Sequence, residues 1–278
     1  MSTMTSHSDH RLFAGGEWLT PHTSARIEVE NPYTRRIVGT APDGDAADID
    51  AAVRAAREAF DHGPWPRMSA DERATLLERL ADELERRGAD IADLVTDEIG
   101  QPTGLSRYVN GMMPAGQLRY FAGLIRAFAF EEERANIAGP GASTIRYEPV
   151  GVAGLIVPWN YPQSLLSAKL APALAVGCTV VIKPAAETPL DALALAEAVE
   201  AVGFPPGVVN VVTGGRETGD ALVKHPGVDK IAFTGSTAAG RIIARNCGER
   251  LIPVTLELGG KSAAIVLDDA DLDVTLAG

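Results

Sequence analysis

A carboxylate, an amide, an amine and a hydroxyl each stand where a short apolar run gives way to glycine or proline. Glu257 follows the run Pro253–Leu256 and precedes Leu258-Gly259-Gly260-Lys261. Leucines on both sides would desolvate that carboxylate and raise its proton affinity, which suits a general base. Asn160 lies in Pro158-Trp159-Asn160-Tyr161-Pro162, where two prolines stiffen the loop. Its amide N–H could stabilise a developing oxyanion, or simply satisfy a local turn. Lys183, before Pro184, could reach a ribose hydroxyl or a phosphate, or remain a solvated charge. Thr234-Gly235-Ser236-Thr237 opens a helix, whose free N–H groups favour a phosphate; Ser236 could equally be an ordinary N-cap.

The elements that must position these groups follow from periodicity. The first half reads helical: Ile49, Val53, Ala56 and Phe60 recur at helical spacing, and Ser69-x-x-Glu72 is a capping box leading into Leu76, Leu77, Leu80 and Leu84. Gly88 is expected to close that helix, Ile91 to Ile99 to form another, and 104–128 a further one interrupted near Pro114. From about residue 142, β-rich runs at 152–157, 179–182, 208–212, 230–233 and 253–256 alternate with helical stretches at 163–176, 189–202, 217–224 and 237–247. That alternation implies an α/β fold, a mostly parallel Rossmann-like sheet flanked by helices. In such a sheet ligands bind at the carboxyl ends of the strands, where all four groups above fall. No G-x-G-x-x-G fingerprint occurs.

With 46% hydrophobic residues the 278-residue chain can bury a large core, and its net charge of −12 argues against nucleic acid or an anionic membrane as partner. Two cysteines, Cys178 and Cys247, make no disulfide framework. Residues 1–10 are polar and hold no apolar run, so no export signal is expected, and no apolar stretch is long enough for a bilayer. A soluble, cytoplasmic protein is expected.

Taken in order and spacing, Pro158-Trp159-Asn160, Lys183-Pro184, Phe233-Thr234-Gly235-Ser236-Thr237 and Glu257-Leu258-Gly259-Gly260-Lys261 closely resemble the aldehyde dehydrogenase superfamily, from about residue 11 to the last. The resemblance implies NAD or NADP as cofactor, a small aldehyde as substrate, and a homodimer or homotetramer for the full-length parent. It implies that Asn160 is the oxyanion donor, that Glu257 activates water to hydrolyse a thioester, and that Lys169 belongs to a proton relay. Lys183 would contact the cofactor ribose and Ser236 with Gly235 the pyrophosphate. Ile156, Pro158, Trp159, Ala186, Gly215, Thr234 and Leu258 would line the rest of the cofactor site. Residues 1–130 and 150–257 would form the cofactor-binding domain, 131–149 the start of an oligomerisation arm, and 258–278 the start of a catalytic domain.

Three departures from that family stand out. Ala186 replaces a glutamate that in many members binds the adenosine ribose and repels a 2′-phosphate, which leaves NAD against NADP open. Ala168 replaces an aromatic that in some members lines the aldehyde tunnel. The family's cysteine nucleophile lies roughly thirty residues beyond the glutamate, and covalent catalysis needs that thiolate; none of the residues after Glu257 is a cysteine. The chain by itself is therefore expected to bind cofactor without oxidising aldehydes. The alternative is a stand-alone nucleotide-binding or interaction module.

Overall fold

Residues alternate across a strand, so each strand of a sheet covered on both sides feeds two separate cores. The computed structural model shows this arrangement for residues 11–277. Met1–His10, read above as lacking an export signal, lie outside the described residues, as does Gly278.

The chain begins with two hairpin-like pairs, β1 (Leu12–Ala14) with β2 (Glu17–Leu19) and β3 (Arg26–Glu30) with β4 (Ile37–Pro42). These four strands correct the expectation of an all-helical first half. Gly15 and Gly16, at φ 65° and 81°, make the tight β1–β2 turn that other residues resist. Helices follow: α1 (Ala46–Asp61), α2 (Ala70–Ile99), α3 (Thr103–Ser106), a π-helical segment Arg107–Met112, and α4 (Met113–Ala127). Ser69 and Glu72 form the expected capping box. Gly88 does not end α2, which runs on to a left-handed Gly100. Instead Gly88 packs backbone to backbone against Gly111 of the π-helical segment, where a side chain on Gly111 would come within 2.7 Å of the Gly88 carbonyl oxygen.

A two-stranded ribbon, β5 (Glu131–Ala135) with β6 (Ala142–Arg146), precedes the α/β unit. That unit runs β7 (Val152–Ile156), α5 (Pro162–Ala175), β8 (Thr179–Lys183), α6 (Pro189–Val202), β9 (Val209–Val211), α7 (Arg216–Lys224), β10 (Lys230–Gly235), α8 (Thr237–Glu249) and β11 (Val254–Leu258); a short α9 (Leu272–Ala277) follows. Strand order is β11-β10-β7-β8-β9-β1-β2, parallel from β11 through β9, with β1 added antiparallel beside β9. The chain moves outward from β7 through β8 to β9, then returns to β7's other side for β10. A crevice forms at such a switch point.

One core joins Leu155, Val180, Ile182 and Val211 to α2, α4, α5 and α6. The other joins Val152, Ile156, Val181, Ile231 and Phe233 to α1, α7 and α8. Arg57 ties the second layer to the sheet through Asp229 (2.5 Å), whose carboxylate also accepts from the Val152 N–H (2.8 Å).

Candidate functional site

Each face of the sheet carries a cavity that reaches its carboxyl edge, and the larger one also extends along the strands to Ala153, Cys178 and Lys230 at the amino edge. The larger, about 1270 Å³, lies on the α5 face, beside Leu155, Ala232, Thr234 and Glu257. The loop Pro158-Trp159-Asn160, α5 residues Ala168 and Lys169, Gly235 and Leu258 line its carboxyl end, and Phe128, Phe130 and Tyr147 line the other. The smaller, about 420 Å³, lies on the α7–α8 face, between Ile156, Lys183, Phe233, Gly215 and Arg216. Strand parity assigns these residues. Lys183, Ile156 and Phe233 stand in one row across β8, β7 and β10, and all three border the smaller cavity. Thr234 and Glu257 pair one position further on and border the larger. Ser236 borders both.

Lys183 is buried and donates to the Gly214 carbonyl oxygen at 3.0 Å, so it is no solvated surface charge. Burial lowers its ammonium pKa to about 8, against a smaller opposing pull from Glu187 and Asp43. Ser236 caps α8, accepting from the Ala239 N–H at 3.2 Å, and still faces both cavities. Thr234 Oγ1 is buried without a protein hydrogen-bond partner, an orphan beside the larger cavity. Burial likewise lowers the Lys169 ammonium, partly offset by the Glu257 carboxylate across the cavity.

Two expectations need correction. Glu257 does not follow its strand but lies inside β11, which extends to Leu258, and it is exposed rather than desolvated. β11 is an edge strand, and Glu257 opens onto the larger cavity. Ala186, on the turn after Lys183, borders neither cavity. The other expected positions all border one cavity or both.

Compared with known proteins, the sequence matches the aldehyde dehydrogenase family over residues 18–278. The chain belongs to the aldehyde dehydrogenase family. It is 48% identical over 269 residues to the geranial dehydrogenase of Castellaniella defragrans, covering 96% of this chain and 56% of that protein. It is 45% identical over 267 residues to human mitochondrial aldehyde dehydrogenase, covering 95% and 51%. The solved structure of a Mycobacterium tuberculosis aldehyde dehydrogenase complexed with NAD+ superimposes with a TM-score of 0.91 at 49% identity, covering 95% of this chain and 54% of that one. This aldehyde dehydrogenase chain thus spans about half the length of the relatives it matches.

The cavity loop has supports that its motifs do not announce. Gln101 donates to the Asn160 carbonyl oxygen (3.0 Å) and accepts from Asn110 Nδ2 (2.6 Å). Asn110 also donates to Ser106 Oγ, which donates to the Ala92 carbonyl oxygen. This buried series anchors the Asn160 loop to α2 while the Asn160 side chain, exposed at the cavity, makes no protein hydrogen bond among the described residues. A lone glutamine after a helix-ending glycine carries no signal that could have revealed the role.

Neither cysteine of this family member is placed to react as a thiolate. Cys178 borders the larger cavity, but at the amino-terminal edge of the sheet, and burial pushes its thiol pKa up; Cys247 is buried with the same effect. Among the described residues no cluster of three or more His, Cys, Asp or Glu could hold a metal ion, and no helix is long and apolar enough to cross a membrane.

Proposed function

We propose that this chain binds a nicotinamide dinucleotide across the carboxyl edge of its sheet and supplies the oxyanion donor and general base for oxidising an aldehyde to a carboxylic acid. The observation that carries the reading is Ser236, which borders both cavities at the start of α8. A dinucleotide is long enough to reach from one face to the other over that point. Its adenosine end fits between Ile156, Val223 and Ile243, with Lys183 donating to a ribose hydroxyl. Its pyrophosphate meets the Ser236 hydroxyl and the free N–H groups that open α8. The orphaned Thr234 hydroxyl is a further donor toward the larger cavity. When bound, the dinucleotide supplies a hydride acceptor.

Asn160 Nδ2 donates to the aldehyde oxygen as negative charge develops there, from a loop held by Gln101. Glu257 takes the proton of an attacking water and passes it to solvent past Lys169. The nucleophilic thiol must come from outside these 278 residues, since both cysteines are structural. Residues 150–257 with 1–130 then form the cofactor-binding unit, the 131–149 ribbon begins an oligomerisation arm for a dimer or tetramer, and 258–278 begin a second unit. Two buried thiols without a disulfide suit the cytoplasm.

Calorimetric titration of NAD into this chain tests the reading. Saturable binding that weakens at least tenfold in Lys183→Ala supports it, and absence of binding overturns it. In an enzyme that joins this chain to a cysteine-bearing remainder, Glu257→Gln should accumulate acyl-enzyme and lose turnover. Unchanged turnover would remove Glu257 from the role.

A further inference from the structure

One peptide group, between Gly214 and Gly215, lies between two opposite charges. Its carbonyl oxygen accepts from Lys183 Nζ at 3.0 Å, and its N–H donates to Asp43 Oδ1 at 3.1 Å. The peptide is trans, so the two groups point in opposite directions from one plane. Its positive end rests on the carboxylate and its negative end on the ammonium. Glycine on both sides leaves that plane unusually free to turn. Turned over, it would withdraw the oxygen from Lys183 and aim an N–H at the ammonium. The Asp43 carboxylate opposes that turn.

Asp43 comes to this peptide from 172 residues away in sequence. It follows the end of β4, and three other hydrogen bonds seat its neighbours on the chain after β9. Thr213 Oγ1 donates to the Pro42 carbonyl oxygen (2.6 Å), the Gly44 N–H to the Thr213 carbonyl oxygen (3.0 Å), and Thr218 Oγ1 to the Gly44 carbonyl oxygen. None of these uses the Asp43 side chain, so the seat does not depend on it. Asp43 borders neither cavity, whereas Lys183 and Gly215 border the smaller one.

An ammonium carries three protons. Once the Gly214 oxygen holds one, the directions of the other two are restricted, which is what donation to a ribose hydroxyl requires. Two carboxylates draw on this ammonium, Glu187 more strongly than Asp43. Glu187 is exposed and makes no hydrogen bond to Lys183 among the described residues, so it adds charge without direction.

We propose that Asp43 is a positioning residue for dinucleotide binding: through the Gly214–Gly215 peptide it aims Lys183 into the smaller cavity without touching the ligand. The proposal rests on the reading that this cavity takes the adenosine end, and deepens it.

Calorimetry with NAD on the 278-residue chain tests it, in a double-mutant cycle of Asp43→Ala with Lys183→Ala. Asp43→Ala is expected to weaken NAD binding by about fivefold or more, the scale of one charge-assisted hydrogen bond. In the Lys183→Ala background the same substitution should change affinity by less than about twofold, because the group it aims is gone. Asp43→Asn keeps an acceptor for the Gly215 N–H and should recover most of the loss. Two losses that multiply, unchanged affinity in Asp43→Ala, or an Asp43→Asn loss equal to that of Asp43→Ala overturns the proposal and leaves the dinucleotide reading intact. Absence of NAD binding by the unsubstituted chain overturns both.

Discussion

Gln101 donates through Nε2 to the carbonyl oxygen of Asn160 at 3.0 Å, across 59 residues of sequence. The bond joins the end of the longest helix to the loop at the mouth of the larger cavity. Gln101→Leu keeps the volume but leaves Asn110 Nδ2 and the Asn160 carbonyl with fewer partners. Urea unfolding should show a loss of about 1–3 kcal/mol, the cost of unsatisfied buried polar groups. Hydrogen exchange should rise at residues 158–161 before the rest of the sheet; a uniform rise would assign Gln101 to general stability only.

Lys183 is kept at a cost to folding. Its pKa of about 8 lies below the ordinary lysine value of about 10.4, so the unfolded chain binds the proton more tightly. Stability therefore rises with pH between those values and is lower at pH 7, by an amount on the order of 2–3 kcal/mol. Lys183→Met should unfold at about 1–2 kcal/mol higher stability at pH 7, with the pH slope above 8 flattened, while dinucleotide binding is weakened. Parallel denaturation series at pH 7 and pH 10 check the sign.

A second buried titration runs the other way. Glu98 accepts from the Leu190 and Asp191 N–H groups at the start of α6, and Asp191 accepts from Gln163 Nε2. Burial raises both carboxyl groups, Asp191 to about 7, and their proximity adds to the effect on Glu98. The folded chain holds protons that the unfolded chain releases, so stability falls as pH rises from about 4 toward 7. Asp191→Asn removes the ionisable group in nearly the same shape. It should flatten that fall and equal or exceed the wild type at pH 8; a variant less stable there by about 2 kcal/mol would contradict the assignment.

The crossing of Gly88 with Gly111 admits no side chain on either residue. Gly88→Ala or Gly111→Ala must part α2 from the π-helical segment that carries Asn110, at about 1–3 kcal/mol or more. Thermal unfolding should report the loss, with the Asn160 loop exchanging faster in the same variants.

Much of the α/β unit was legible because its signals are local. Pro162 and Pro189 start α5 and α6, and a left-handed Gly203 stops α6, so the expected 163–176 and 189–202 boundaries fall within a residue or so of the observed ones. The strands β1–β4 escape the sequence reading because β1 and β2 have three residues each and none of the four carries a long apolar run. Cavity membership was not readable either. Which of two neighbouring residues faces α5 and which faces α8 depends on pairing register, a property of the assembled sheet. Glu257 reads as following its strand because the apolar run ends at Leu256, whereas pairing continues through Glu257 to Leu258 opposite Gly235.

That register has a consequence for how such a chain can vary over generations. Thr255 and Glu257 border the larger cavity, while Leu256 packs with the α8-side core. Deleting or inserting one residue between Pro253 and Glu257 would rotate the carboxylate out of the cavity and turn a leucine in, with every strand still formed. Length changes are thus barred from this stretch even where substitutions are tolerated. After Gly259, where no strand pairing remains, the same insertion leaves the register of β11 and its cavity-facing side chains untouched.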